Sequence, residues 1–225
     1  MQPIAQMDKL TQATRRREFL DGLRDIHIGW VILLLGALNA FILSRAGMRL
    51  LIHSLLYDKS LTIVGLLGLV GLLLLLIFGA ERIIERIRRT RLWKESGFVK
   101  PLRWGFNRGF TILSTAILLL IVVGGVWMMA RGLLSQEATL RSIPAASGFA
   151  LGITFLGVGQ SLKIRRYLWV GLAGILASIP IFFIRLSFGQ SWLWLGVAWA
   201  IILFASGAWA LRRALADQGQ SQAHE

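Results

Sequence analysis

The sequence contains no cysteine. Disulfide bonds, thiolate nucleophiles and cysteine-ligated metals are therefore excluded from its chemistry. Histidine is almost as scarce: His27, His53 and His224 lie far apart, and none has a second ligand at the spacing of a metal site. We expect the chain to hold no metal and no cofactor.

Charged residues are also few. They make up 16% of the chain, where a soluble domain carries about a quarter. Hydrophobic residues account for 56%. The charges that are present cluster between long apolar runs, which is typical of a membrane protein and not of a globular core.

Six apolar runs are each long enough to cross a bilayer as a helix, which takes about 20 residues. Pro144 is expected in the first turn of the fourth span, and Gly189 and Gln190 in a turn that delays the sixth. The sequence therefore predicts an all-α polytopic membrane protein with a bundle of six transmembrane helices. The membrane domain is predicted over 26–213, with spans at about 26–44, 60–80, 109–130, 142–162, 167–184 and 191–211.

The clearest span is Ser60 to Ala80, because it carries no charge and is followed by the segment ERIIERIRRTR. Isoleucines continue the helical apolar pattern past Ala80, so the helix is predicted to run on beyond the membrane with an arginine-rich face. This face is a candidate contact for anionic lipid or for a partner protein. Its arginines are Arg82, Arg86, Arg88, Arg89 and Arg91.

The basic residues are distributed unequally between the two sides of the predicted bundle. The side that holds both termini has 19 Lys and Arg, and the opposite side has 6. Much of the bias comes from the basic connection 81–108. Because positive charge favours the cytoplasmic side, we expect both termini to be cytoplasmic in a membrane of the bacterial plasma-membrane type.

The two ends of the chain are polar. Residues 1–25 are predicted to form a short amphipathic helix on the inner surface, with Phe19, Leu20 and Leu23 on its apolar face and Asp21 and Asp25 on the other. The alternative is a plain cytoplasmic tail. The segment 214–225 is predicted to be a polar tail.

The net charge of +14 would point to nucleic acid in a soluble protein. Aromatic residues such as Trp93 and Trp104 also alternate with basic residues in the connection 81–108, as they do in proteins that bind single strands. Between two bilayer spans, the same composition describes an interfacial segment, with rings at headgroup depth and charges among phosphates. We therefore expect anionic headgroups as partners, and no nucleic acid.

The predicted spans contain no Asp, Glu, Lys or Arg. Proton-coupled pumps, voltage sensors and many ion carriers place such groups at membrane depth, so these mechanisms are disfavoured. No histidine lies deep enough to activate the serines and threonines of the spans, and no HExxH or paired-aspartate arrangement is present. We expect that the protein is not an enzyme.

The remaining candidates are mild polar and small residues within the spans. Asn39 and Gln160 are expected to bond a neighbouring helix or to contact a substrate. Gly148 and Gly152 form a GxxxG pair for close helix packing, and Pro180 is expected to kink the fifth span. Three further glycines lie on a broad stripe of the second span and make a groove for a neighbour: Gly65, Gly68 and Gly71.

Two hypotheses of function follow. The first is a non-catalytic subunit or scaffold that packs against partner membrane proteins or lipids, because catalytic groups are absent and small-residue faces are frequent. The alternative is a small permease or transporter subunit for an apolar or lipid-like substrate, based on Asn39, Gln160 and Pro180.

Overall fold

The computed structural model of the protein describes residues 19–57, 59–88, 90 and 108–222. Within these ranges the chain is almost entirely helical and has no strand. Phe19 and Leu20 are already helical, and a bend at Asp21 and Gly22 follows. The helices after that bend are α1 (Leu23–Ile42), α2 (Arg45–Tyr57), α3 (Lys59–Ile87), α4 (Arg108–Ala130), α5 (Gln136–Ser161), α6 (Arg165–Ser178), α7 (Pro180–Phe183) and α8 (Phe188–Gln222).

The all-α prediction and the number of long apolar helices are confirmed for the described residues. Six segments are long and apolar enough to span a membrane. They lie in α1, in α3, in α4, in α5, in α6 together with α7, and in α8. We call them the candidate spans. Most of the predicted segment 1–25 lies outside the described residues. The predicted polar tail 214–225 is helical as far as Gln222, because α8 continues to that residue.

Two candidate spans begin earlier than predicted because serine caps start their helices. The Ser135 hydroxyl accepts a hydrogen bond from the backbone N–H of Ala138 at 3.2 Å, so α5 begins at Gln136 and Pro144 lies inside it. At α8, the Ser187 hydroxyl accepts from the Gln190 N–H at 3.3 Å, and the Gln190 side chain accepts from the Ser187 N–H at 2.9 Å. This reciprocal capping box begins α8 at Phe188. Gly189 and Gln190 therefore lie in the first turn of the helix and not in a turn that precedes it.

Of the six candidate spans, five pack together in one series, and the span in α3 lies outside it. α1 packs along α8, α8 also contacts α5 and α6, α6 packs on α5, and α5 packs on α4. We call these five helices, with α7, the packed body. Its buried centre contains Tyr167, Trp199 and Leu203, all fully buried. The ring of Trp199, near the middle of the span in α8, stacks on the ring of Phe155 in α5.

The outlier is α3. Among the described residues of its candidate span, 63–87, none is buried, whereas half of the span in α5 is buried. Its contacts within the described chain are mainly with α1 and α2.

Candidate functional site

The main polar feature of the packed body is a buried cluster around Asp25, at the end of the bundle where α1 and α6 begin. Asp25 is fully buried. Its carboxylate forms an ion pair with Arg166 at 3.0 Å and accepts hydrogen bonds from the hydroxyls of Tyr167 and Ser206, the latter at 3.1 Å. We call these four residues the Asp25 cluster. It joins the start of α1 to α6 and α8.

A close approach between α1 and α8 brings these groups together. Gly22 has φ 73°, and a Cβ atom there would lie 2.2 Å from the carbonyl oxygen of Gly207. A side chain at Gly207 would likewise meet the Gly22 carbonyl oxygen at 2.7 Å. Glycine at both positions therefore lets the chain turn into α1 and places Asp25 beside Ser206.

Arg166 has several acceptors in addition to Asp25. Its guanidinium donates to the Phe19 carbonyl oxygen and to the Tyr167 hydroxyl. The charge of Asp25 is thus balanced by a neighbouring cation, and the carboxylate is saturated by hydrogen bonds. Such an arrangement stabilises helix contacts, because either charge left alone at this depth would be costly.

A second ion pair lies next to this cluster. The Asp21 carboxylate receives two bonds from the Arg88 guanidinium, from Nε to Oδ2 and from Nη2 to Oδ1, the latter at 3.1 Å. Both side chains are buried, with 3% and 4% of their surface exposed. The Asp21 carboxylate also accepts from the Leu23 N–H at 3.1 Å, which supports the first turn of α1.

These two ion pairs correct the predicted amphipathic segment. Asp21 and Asp25 are predicted on a polar face of a surface helix, but both are buried against arginines of distant helices. α1 begins at Leu23, so the predicted segment 1–25 and the first span share residues. The apolar residue Leu20, in contrast, is exposed.

The predicted arginine-rich face at the end of α3 is divided. Arg82 and Arg86 are exposed, so lipid or a partner can reach them. Arg88 instead turns inward to Asp21, which corrects its expected surface position. Arg89 and Arg91 lie outside the described residues.

The structure does not bring the two polar candidates for substrate contact together. Asn39 donates its side-chain amide to the Leu35 carbonyl oxygen of its own helix at 2.8 Å, in place of the expected bond to a neighbour. Gln160 is exposed near the end of α5, close to where α6 begins. Asn39 lies 14 residues past Asp25, or about 20 Å along α1 at 1.5 Å per residue, so Asn39 and Gln160 belong to opposite ends of the bundle.

Gly148 and Gly152 lie buried where α5 meets α6. A Cβ atom at Gly148 would lie 2.1 Å from the Ser178 hydroxyl oxygen, and one at Gly152 would lie 2.9 Å from the Gly171 carbonyl oxygen. Such spacing is too short for any side chain, so both positions serve close helix packing.

Pro180 ends α6 and opens the short helix α7. The break agrees with the expected kink. The neighbouring position Gly174 is covered by the ring of Trp199, which a Cβ atom at Gly174 would approach to 2.2 Å. Ser178 and Ile181, on either side of Pro180, are fully buried, whereas Phe183 is exposed.

The glycine stripe on α3 faces open space. Cβ atoms at Gly65, Gly68 and Gly71 would meet nothing within 4 Å. We call these three residues the α3 glycine face. No helix of the described chain packs against this face, so the predicted contact with a neighbour stays a prediction.

Neither buried ion pair can be predicted from the sequence, because in the sequence each of the four charged residues only marks the end of a predicted span. One signal is available in the sequence. Asp21 and Asp25 are four residues apart, so they lie on one side of a helix, and they directly precede the first apolar run. A second is the spacing of Gly22, Gly29 and Gly36, which repeats every seven residues and indicates a continuous helix seam.

The described residues contain no group of three or more His, Asp or Glu side chains that could hold a metal ion. Comparison of the chain with protein families, with curated proteins and with solved structures finds no match.

Proposed function

We propose that the protein is a non-catalytic membrane subunit or scaffold, and that α3 is the helix through which it packs against a partner membrane protein. The observation that supports this proposal is the lack of burial along α3, in contrast to every other candidate span. Glycine lets helix backbones approach closely in a membrane, where packing and not the hydrophobic effect drives association. Contact with lipid alone would not require the close approach of backbones that a glycine face permits.

The Asp25 cluster is a second observation that supports a non-catalytic subunit. Arg166, Tyr167 and Ser206 each bond the Asp25 carboxylate, and together they join three helices. A carboxylate engaged in this way is suited to holding helices together.

Anionic headgroups are the second proposed partner. Arg82 and Arg86 are exposed at the end of α3, where lipid phosphates would neutralise them. In this proposal the chain lies in a plasma membrane of the bacterial type with both termini in the cytoplasm. Reporter fusions after Lys59, Lys94 and Glu137 should then read outside, inside and outside, and any other order contradicts the six-span topology.

The alternative, a permease for an apolar or lipid-like substrate, has less support. Asn39 bonds within its own helix, Gln160 lies at the other end of the bundle, and buried side chains lie on either side of Pro180. Flux of an apolar substrate through the purified chain alone would favour this alternative over the scaffold.

The proposal is tested by purifying the full chain in native lipid particles and measuring the mass of the assembly. The wild type should be larger than one chain, and Gly68→Leu should reduce that mass without unfolding the protein, because nothing in the described part of the chain lies within 4 Å of a Cβ atom at this position. Leu176→Phe, at an exposed position of α6, is the matched control and should leave the mass unchanged. A monomeric wild type, or an unchanged assembly in Gly68→Leu, would contradict the proposal.

A further inference from the structure

The Asp21–Arg88 ion pair connects two parts of the chain that otherwise touch little. Asp21 lies in the bend before α1, and Arg88 directly follows α3. Arg88 lies in a π-helical turn that also includes Thr90, whose hydroxyl donates to the Arg86 carbonyl oxygen at 2.8 Å. Arg88 follows Arg86 by two residues, which is about 200° around a helix, so it faces inward while Arg82 and Arg86 are exposed.

Along its membrane segment, α3 packs little against the described part of the chain. No described residue of 63–87 is buried, and the α3 glycine face is open. His27 of α1 also interacts with Leu76 and Glu81 of α3. The buried ion pair is therefore a main attachment of this end of α3 to the packed body.

We propose that the Asp21–Arg88 pair is a latch, and that α3 is a movable arm with a latched and a released position. In the latched position, shown by the structure, the pair holds the end of α3 at the start of α1. In the released position that end moves away from the packed body while the other end stays joined through α2. The latch concerns the position of α3 within this one chain and does not depend on the proposed partner.

The chemistry of the two ion pairs explains why this one is the latch. Asp25 is held by Arg166, Tyr167 and Ser206, which come from two helices of the packed body. Separating that pair would require the body to open. Asp21 and Arg88 belong instead to a bend and to a helix end, so both charges reach water together when α3 moves, and hydration offsets the lost attraction.

The latch is tested by measuring the distance between spin labels in the full chain reconstituted in lipid. Because the sequence has no cysteine, each introduced cysteine is a unique labelling site. One label replaces Arg82 on α3 and the other replaces Arg212 on α8, and both positions are exposed. A second pair, at Arg165 and Arg212, lies wholly within the packed body and is the control.

Asp21→Asn and Arg88→Gln each remove one charge. Asn keeps a side-chain oxygen that can accept from the Leu23 N–H, and Arg88→Gln leaves Asp21 intact, so neither variant removes the support of α1. We expect the 82–212 distribution to shift to longer distances and to broaden in both variants. The 165–212 distribution should remain that of the wild type.

The reversed pair, Asp21→Arg with Arg88→Asp, should restore the short 82–212 distance. An 82–212 distribution that stays at its wild-type position in both single variants would overturn the proposal. So would a shift of the 165–212 control in both variants, because the ion pair would then be part of the packed body and not a latch.

Discussion

α1 and α3 are both apolar helices that carry glycines, yet they have opposite surroundings. A Cβ atom at Gly36 of α1 would lie 2.8 Å from the Cα of Gly196 in α8, and one at Gly29 would lie 2.8 Å from the ring of Phe204. At Gly68 of α3 a Cβ atom would meet nothing within 4 Å. The same residue type thus marks an internal seam in one helix and an uncovered surface in the other.

Spacing distinguishes the two sets of glycines. Gly22, Gly29 and Gly36 recur every seven residues, so they return to nearly the same side of α1 and form a straight seam against α8. Gly65, Gly68 and Gly71 recur every three residues and drift around α3, which makes a broad face instead of a seam. A seven-residue glycine repeat is therefore better evidence of packing within the chain than glycine content alone.

The largest expected effect is that of Asp25→Ala, which removes one partner of a buried ion pair and leaves Arg166 facing an apolar side chain. Loss of one partner of such a pair costs about 3–5 kcal/mol. The free energy of unfolding in detergent, followed by tryptophan fluorescence, measures it. A cost near zero would mean that the Asp25 cluster does not hold α1, α6 and α8 together.

Gly36→Ala should have the next largest effect. The added methyl would lie 2.8 Å from backbone atoms of α8, so the two helices must separate. Overpacking of this kind costs about 1–3 kcal/mol. Unfolding measured in the same way should show the loss, and an unchanged stability would contradict the close approach of α1 and α8.

Ser187→Ala removes the hydroxyl that caps α8. We expect a loss of about 1 kcal/mol in the free energy of unfolding, as is typical for an N-cap serine. Ser135→Ala, measured in the same way, removes the corresponding hydroxyl at the start of α5 and compares two caps that serve helices of the packed body. If Ser187→Ala costs nothing, the start of α8 does not depend on its capping box.

Gly68→Ala should have the smallest effect on stability and is the matched counterpart of Gly36→Ala. The new methyl meets no atom of the described residues within 4 Å, and alanine is the better helix former. The free energy of unfolding of the isolated chain should not fall. A loss as large as that of Gly36→Ala would show that α3 packs within the chain after all, and the comparison between the two helices would fail.

The sequence predicts the helices well, because a long apolar run has a local signature. The starts of α5 and α8 are predicted too late. The prediction takes charges and turn residues as the boundaries, whereas Ser135 and Ser187 cap helices that begin earlier. The ion pairs escape prediction for a different reason. Asp21 and Arg88 are 67 residues apart, and Asp25 and Arg166 are 141 apart (166 − 25), so their meeting depends on which helices are neighbours.

The central claim is that α3 presents a face for a partner protein. Its most direct test places a photocrosslinking side chain at position 72, exposed and one turn from Gly68, and, as a control, at the exposed position 176 of α6, in native membranes. We expect a discrete protein adduct from position 72 that Gly68→Leu weakens, and only lipid adducts from position 176. Lipid adducts alone from both positions would contradict it.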